Sequence, residues 1–364
     1  MVRINVVEFY SGIGGMHYAL QYAGIDADVV SAYEINTTAN AVYKHNFPNT
    51  KVSQNNIEAV TIADLEKLNA DLWTMSPPCQ PFTRQGKQEH SNDPRSKSFL
   101  NILTILSKMK TPPTYILLEN VKGFECSNTR NEFVAVLKSR NFLVQEFLLS
   151  PTDFGIPNSR TRYFLIAKQQ PKSFTFSCTQ FPLQYSTETI DRKRIPCKEQ
   201  SLDHENCVCK HTESVLNTFK QRKLSDFLFK YKSDDFLVKK EVLLRYFPVL
   251  DIVHTDSIQS CCFTKAYTKY YQGTGSILTH QSSNTLREAS ENFKEAESND
   301  AKYEILSRLQ LRFFTPDEVS RLMCFPDNFS FPPNVTSKQK YMLLGNSVNV
   351  LVVGNVFKWF LLND

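Results

Sequence analysis

Long apolar runs are missing from this sequence. No stretch approaches the roughly 18 consecutive apolar residues that a membrane-spanning helix needs, so a membrane partner is not expected. The hydrophobic fraction, 41% of 364 residues, instead suits a large globular domain or a core domain plus a smaller one. A disulfide framework is missing too. The nine cysteines are an odd number and none is spaced C-x-x-C, which argues for reduced thiols. The opening residues, MVRINVVEFYSG, carry neither the apolar core nor the cleavage site of a signal peptide. A cytoplasmic location is expected, with the nucleus as a second compartment. Strong charge is also lacking: the net charge of +5 permits an acidic partner such as nucleic acid without demanding one.

What is present is a rhythm. INVVEF (4–9), DVVSAYE (28–34), ADLWTM (70–75), TYILLEN (114–120) and RYFLIAK (162–168) read as buried strands. GGMHYALQYAG (14–24), TTANAVYKHNF (37–47), KSFLNILTILSKM (97–109) and NEFVAVLKSR (131–140) read as helices between them. Strands alternating with helices predict a doubly wound α/β sheet. After residue 170 the rhythm fails. Residues 171–212 are polar and suit a connector, 213–250 look helical and basic, and 261–278 look like short strands and turns. ASENFKEAESNDAKYE (289–304) reads as a solvated, flexible stretch. The apolar end, helical in spacing from about Val348, is expected to bury itself on the first domain.

FYSGIGG (9–15) follows the first strand, and Gly12, Gly14 and Gly15 let the backbone turn tightly and approach a ligand. Glu34 ends the second strand about 20 residues later, where a carboxylate can accept ribose hydroxyls. The third glycine of a dinucleotide fingerprint is absent, His17 standing in its place. A nucleoside cofactor without a pyrophosphate fits better. By itself the turn is equally readable as a tight strand–helix junction.

WTMSPPCQPFTR (73–84) holds Cys79 between Pro77-Pro78 and Pro81. Prolines fix φ and remove backbone donors, and the turn sits at the carboxyl edge of a strand, where open α/β sheets place their sites. A thiol attacks as thiolate, so a working cysteine needs positive surroundings, and Arg84, Lys87 and Arg95 follow. Alone, Cys79 is more readily an inert packing residue. Glu119, in LLENVKGF (117–124), ends another buried strand where a carboxylate can hold or deliver a proton. Arg160 and Arg162 stand two apart on what reads as an edge strand, and so should face the same way. A solvated face is the plainer reading for them.

Taken in order, FYSGIGG, SPPCQPFT, LLENVKGF, SRTRYFLIA, RFFTPDEVSRLMCFP and LLGNSVNV resemble the motifs of the cytosine-5 methyltransferase family, covering 4–168 and 312–357. CFTKAYTKYYQGTGS (262–276) resembles the recognition segment of the branch that methylates cytosine 38 in the anticodon loop of aspartate tRNA. The resemblance implies a Rossmann-like, mostly parallel sheet of the class I methyltransferase kind, with a smaller target-recognition domain. The expected divisions are a catalytic domain at 1–175, a connector at 176–212, a recognition domain at 213–334 and a returning segment at 335–364. A monomer is the expected state.

The family's chemistry implies S-adenosylmethionine as cofactor and S-adenosylhomocysteine as product. Phe9, Ser11, Gly12, Gly14, Glu34, Ile35, Asn56 and Ile57 would hold it, with Ser76 and Pro78 from the cysteine turn and Asn346, Ser347 and Val348 closing the site. Asn56 stands where the family often has an acidic residue, and Cys324 where FP is usually preceded by glycine. Cys79 would add to carbon 6 of cytosine, making carbon 5 nucleophilic. Glu119 would act at N3, and Arg160 and Arg162 would hold the ring carbonyl, a phosphate or Glu119. Substrate contacts are expected from Arg84, Lys122, Cys262, Phe263, Thr264, Lys265 and Tyr267, with Lys269, Tyr270 and Tyr271 adding cations and rings suited to phosphates and exposed bases. DNA is the alternative substrate, and a non-catalytic nucleic-acid-binding protein the remoter alternative. A nicotinamide oxidoreductase is disfavoured by His17 and the Pro-Pro-Cys turn. Cys197, His204, Cys207, Cys209 and His211 match no common zinc spacing, and no metal is expected.

Overall fold

The computed structural model describes residues 3–78, 97–175, 183–184, 219–229 and 234–361. Cys79, Arg84 and the Cys/His cluster at 197–211 lie outside the described residues. The chain divides into two compact units. The first takes Met1–Asp153, Thr161–Phe219 and Val350–Asp364, and the second Phe154–Arg160 and Lys220–Asn349. Residues 154–160 and 335–349 thus group with the second unit, whereas the sequence reading ran the first domain unbroken to 175 and began the return at 335.

In the first unit the alternating pattern becomes β1 (Ile4–Phe9), α1 (Gly15–Ala23), β2 (Ala27–Tyr33), α2 (Thr37–Asn46), β3 (Val52–Ser53), α3 (Ile62–Glu66) and β4 (Leu72–Met75). It continues with α4 (Lys97–Lys108), β5 (Tyr115–Val121), α5 (Asn128–Ser139), β6 (Phe142–Leu149), β7 (Arg162–Gln169) and β8 (Leu183–Gln184). The sheet order is β3-β2-β1-β4-β5-β7-β6-β8. Strands β1 to β5 pair in parallel, while β7 runs antiparallel between β5 and β6. The strand carrying Arg162 is therefore interior, which corrects the edge-strand reading. That reading had no place for β6.

The central strands are apolar on both faces because helices cover both. Phe9, Trp73, Met75, Ile116 and Leu118 join Phe99, Ile102 and Leu106 of α4 and Phe133 and Leu137 of α5 in one core. The final helix, numbered in chain order below, belongs to this unit and spans Val350–Leu361. Its Gly354 lies so close to Tyr22 of α1 that a Cβ would sit 2.3 Å from the ring. Phe360 meets Tyr115 edge-on at 5.5 Å. An apolar end that returns to the first domain is what the sequence led one to expect.

The second unit contains α6 (Lys240–Tyr246), β9 (Ile252–His254), β10 (Ile277–Thr279), α7 (Ser283–Glu295), α8 (Asn299–Ser307), β11 (Arg312–Phe313), α9 (Pro316–Leu322) and α10 (Ser337–Asn346), so the final helix is α11. Its small sheet has the order β11-β10-β9. The stretch expected to be flexible is instead two helices, α7 and α8, each capped by a serine: Ser282 accepts from Thr285 N and Ser298 from Ala301 N. Of the helix expected over 213–250, the described residues show α6 and short 3₁₀ turns. Pro316 opens α9, where Thr315 and Glu318 close a reciprocal capping box. Glu318 is wholly buried and holds Arg312 through two parallel contacts of 2.8 Å, a fork-to-fork pair that fixes β11 to α9.

Candidate active site

The strand order reverses between β1 and β4, and the carboxyl ends of those strands form the crevice where open α/β sheets bind ligands. From β1 the chain enters the glycine turn, with Gly12 at φ 54° and Gly14 at φ 86°, both in the left-handed region. At Gly12 an added Cβ would meet nothing within 4 Å, so the backbone faces open space, whereas at Gly14 it would strike the Phe47 ring at 2.6 Å. Glu34, one residue past β2, accepts from Gly12 N at 3.1 Å and from Asn36 N at 2.8 Å. The two halves of the sequence-predicted cofactor cradle therefore meet. Ser11 is buried, and its hydroxyl has no hydrogen-bond partner among the described residues. An orphaned buried hydroxyl is costly and points to a polar ligand group.

Ile35 is 67% exposed beside that carboxylate and offers an apolar face to a flat group there. A nucleoside needs this donor set: a carboxylate for ribose hydroxyls, an apolar plate for a base and a hydroxyl for a polar tail. The residues fit S-adenosylmethionine. Other expected contacts have structural occupations. Phe9 is core, stacked on Tyr33 at 5.5 Å and edge-on to Trp73 at 5.2 Å. Ile57 is buried, and the Asn56 side-chain carbonyl accepts from Glu58 N at 3.1 Å, so one of its two acceptor sites caps the next turn.

At the end of β4, Ser76 N donates to Phe9 O at 3.4 Å, and Ser76 is half-buried while Pro78 is exposed. Asn120 at the end of β5 donates its side-chain amide to Pro77 O at 3.2 Å. That side chain, missed as a site residue, ties β5 to the proline turn two residues before Cys79. Glu119, beside it and buried, lies 3.5 Å from Arg162 Nε on β7. Thus Glu119 and Arg162 come together as expected, and Lys122 beyond them is exposed.

Arg160 is not part of that strand. It precedes β7 and belongs to the second unit. Its guanidinium donates to Phe263 O at 3.2 Å and Gly345 O at 3.0 Å, to Ser347 O, and toward Cys262 Sγ at 3.3 Å. Such a cation draws its own segment together with those of Phe263 and of Gly345 and Ser347, and the expected placement of Arg160 on one strand face with Arg162 is not found. The period-2 argument failed because Arg160 is not in the strand.

In the recognition segment Phe263 and Tyr267 are 2% and 3% exposed and meet edge-on at 5.0 Å. Tyr267 donates its hydroxyl to Ser276 O at 2.7 Å and accepts from Phe314 N at 3.0 Å. These two are core anchors rather than substrate contacts. Thr264 is half-buried and Lys265 exposed, and their backbone runs over Gly345, where a Cβ would lie 2.2 Å from Lys265 N. Gly345, another residue the sequence reading passed over, has its signal in a glycine inside a helix. Asn346 is exposed, Ser347 half-buried and Val348 buried. Cys324 holds φ 59°, the left-handed conformation a glycine would adopt freely, which explains the glycine expected there.

Residues 4–360 match the family described as C-5 cytosine-specific DNA methylase. The chain belongs to that family. A Bos taurus protein named tRNA (cytosine(38)-C(5))-methyltransferase is 42% identical, the alignment covering 98% of this chain and 99% of the relative. A Dictyostelium discoideum protein named DNA (cytosine-5)-methyltransferase is 41% identical, with 98% and 94% covered. The crystal structure of a Spodoptera frugiperda DNMT2 triple mutant superposes with a TM-score of 0.83 at 40% identity, covering 98% of this chain and 99% of that one. Members of this methyltransferase family use S-adenosylmethionine, and the fold is that of class I methyltransferases.

Proposed function

We propose that the protein transfers a methyl group to carbon 5 of a cytosine in tRNA, at position 38 of the anticodon loop, with aspartate tRNA as the substrate. The observation that carries the chemistry is the pair at the end of β5: Glu119 beside Arg162, and Asn120 gripping the turn that leads into Cys79. The choice of RNA rests on the full-length similarity to the bovine enzyme.

Gly12, Glu34, Ile35 and Ser11 would hold S-adenosylmethionine, which supplies an electrophilic methyl group. Cytosine is a poor carbon nucleophile, so the Cys79 thiolate adds to carbon 6 and the ring becomes an enamine. Glu119 hydrogen-bonds or protonates N3 as electrons move into the ring. Arg162 keeps the Glu119 carboxyl oriented from 3.5 Å. After carbon 5 is methylated it loses its proton, and Cys79 leaves carbon 6 as thiolate. An anticodon loop suits this chemistry because its bases are already unpaired, so extruding one is cheap.

The similarity to the Dictyostelium relative favours DNA as the second reading. Methyl incorporation into tRNA and duplex DNA, with mass spectrometry locating the modified base, separates them. Methylation of tRNA at cytosine 38 is expected, and equal or greater incorporation into DNA would defeat the RNA assignment.

A further inference from the structure

The loop from Thr264 to Thr274 closes on itself through its own hydrogen bonds. Thr264 N donates to Thr274 O at 2.9 Å, Lys269 N and Tyr270 N to Ala266 O at 3.0 and 3.1 Å, and the Thr274 hydroxyl to Tyr270 O at 2.6 Å. Tyr267 plugs it into the core from within. Tyr271 secures its other side, lying 4.9 Å from Tyr246 of α6 and 6.4 Å from Phe313. Thr268 takes φ 69°, a strained conformation for a β-branched residue, and it falls between the ring that turns inward and the one that turns outward. That outward ring is Tyr270, 58% exposed on a backbone that cannot collapse to cover it.

A large ring held open on a locked loop has lost little entropy to lose on binding, as suits a recognition platform. Its surroundings define the ligand. Lys269 Nζ lies 5.2 Å from the Tyr270 ring centroid, Lys265 is exposed on the same loop, and residues 257–287 contain no aspartate or glutamate. A cation-flanked aromatic face on a segment that carries no acidic residue fits an unpaired nucleobase between two phosphates. We propose that Tyr270 is a stacking platform for an unpaired base of the RNA substrate, with Lys265 and Lys269 on the flanking phosphates. This rests on the RNA reading above and deepens it by naming a contact distinct from the extruded cytosine.

Two measurements on the full chain test it. Tyr270→Trp places an indole at the platform, with the wild-type signal from Trp73 and Trp359 as the blank. Saturable quenching is expected with a short single-stranded RNA and not with inorganic polyphosphate. Tyr270→Ala is expected to raise KM for tRNA about tenfold, the loss of one stacked base, while kcat stays within about twofold and Tyr270→Phe behaves as wild type. Because the ring is 58% exposed and lies outside the core, the alanine variant should unfold close to the wild-type temperature. Absence of RNA quenching, equal quenching by polyphosphate, or an unchanged KM would each overturn the platform. If the wild type methylates no tRNA, the functional reading fails instead, and the quenching by RNA alone then decides whether Tyr270 stacks bases.

Discussion

Glu119 is legible in the sequence because a carboxylate at the end of an apolar strand has no packing purpose, and it is found beside the expected Arg162. Glu119→Gln keeps size and hydrogen bonding but cannot deliver a proton. It should lower kcat by about 10²–10⁴-fold, the usual contribution of a positioned acid, with S-adenosylmethionine affinity little changed by calorimetry. An unaltered kcat would remove Glu119 from proton transfer. Arg160 was misread because its neighbour is in a strand and it is not. Its donors reach three carbonyls on two other segments, Phe263 on one and Gly345 and Ser347 on the other, so Arg160→Ala should lower thermal stability as well as activity. A variant as stable as wild type but inactive would return Arg160 to direct catalysis. Tyr267 was misread for a similar reason. Sequence shows that cations and rings alternate but not which ring the core claims.

Among the elements, strands whose apolar run is unbroken, or broken only toward one end, were plain, and one broken in its middle was not. β6 escaped notice because Gln145 and Glu146 interrupt it. Both are buried, and Glu146 is held by Arg130 and Tyr163, a tertiary arrangement that no local pattern reveals. α7 escaped because its apolar stripe is thin: Leu286, Ala289 and Phe293 meet the second unit's core while the rest is polar. The capping box at α9 holds the more consequential contact. Glu318→Ala would leave the Arg312 guanidinium buried without its partner, at a cost of about 3–5 kcal/mol, read as a fall in the unfolding midpoint. In β1, burial pushes the Glu8 carboxyl up to about 8 despite the hydrogen bond from Tyr43. Its folded pKa exceeds the unfolded value near 4.5. The stability it contributes is therefore complete below that value and is lost as pH climbs to about 8. Glu8→Gln should flatten the stability profile across that window, and a profile identical to wild type would show that Glu8 ionises freely.

For the whole molecule, a doubly wound catalytic unit and a second unit built on an excursion from it were readable, since the strand–helix rhythm stops and an apolar helix returns. The boundaries were not. Residues 154–160 join the second unit through contacts such as Asn158 with Cys261 O at 2.9 Å, made across a long sequence separation. The functional account depends on Cys79 bonding to a cytosine ring, and a 5-fluorocytosine substrate tests that directly, because fluorine at carbon 5 cannot leave as the proton does. Incubated with S-adenosylmethionine and an anticodon-loop RNA carrying that base, the protein should gain the mass of the RNA, with peptide mapping placing the adduct on Cys79 and Cys79→Ala forming none. No adduct, or one on another side chain, would contradict the mechanism.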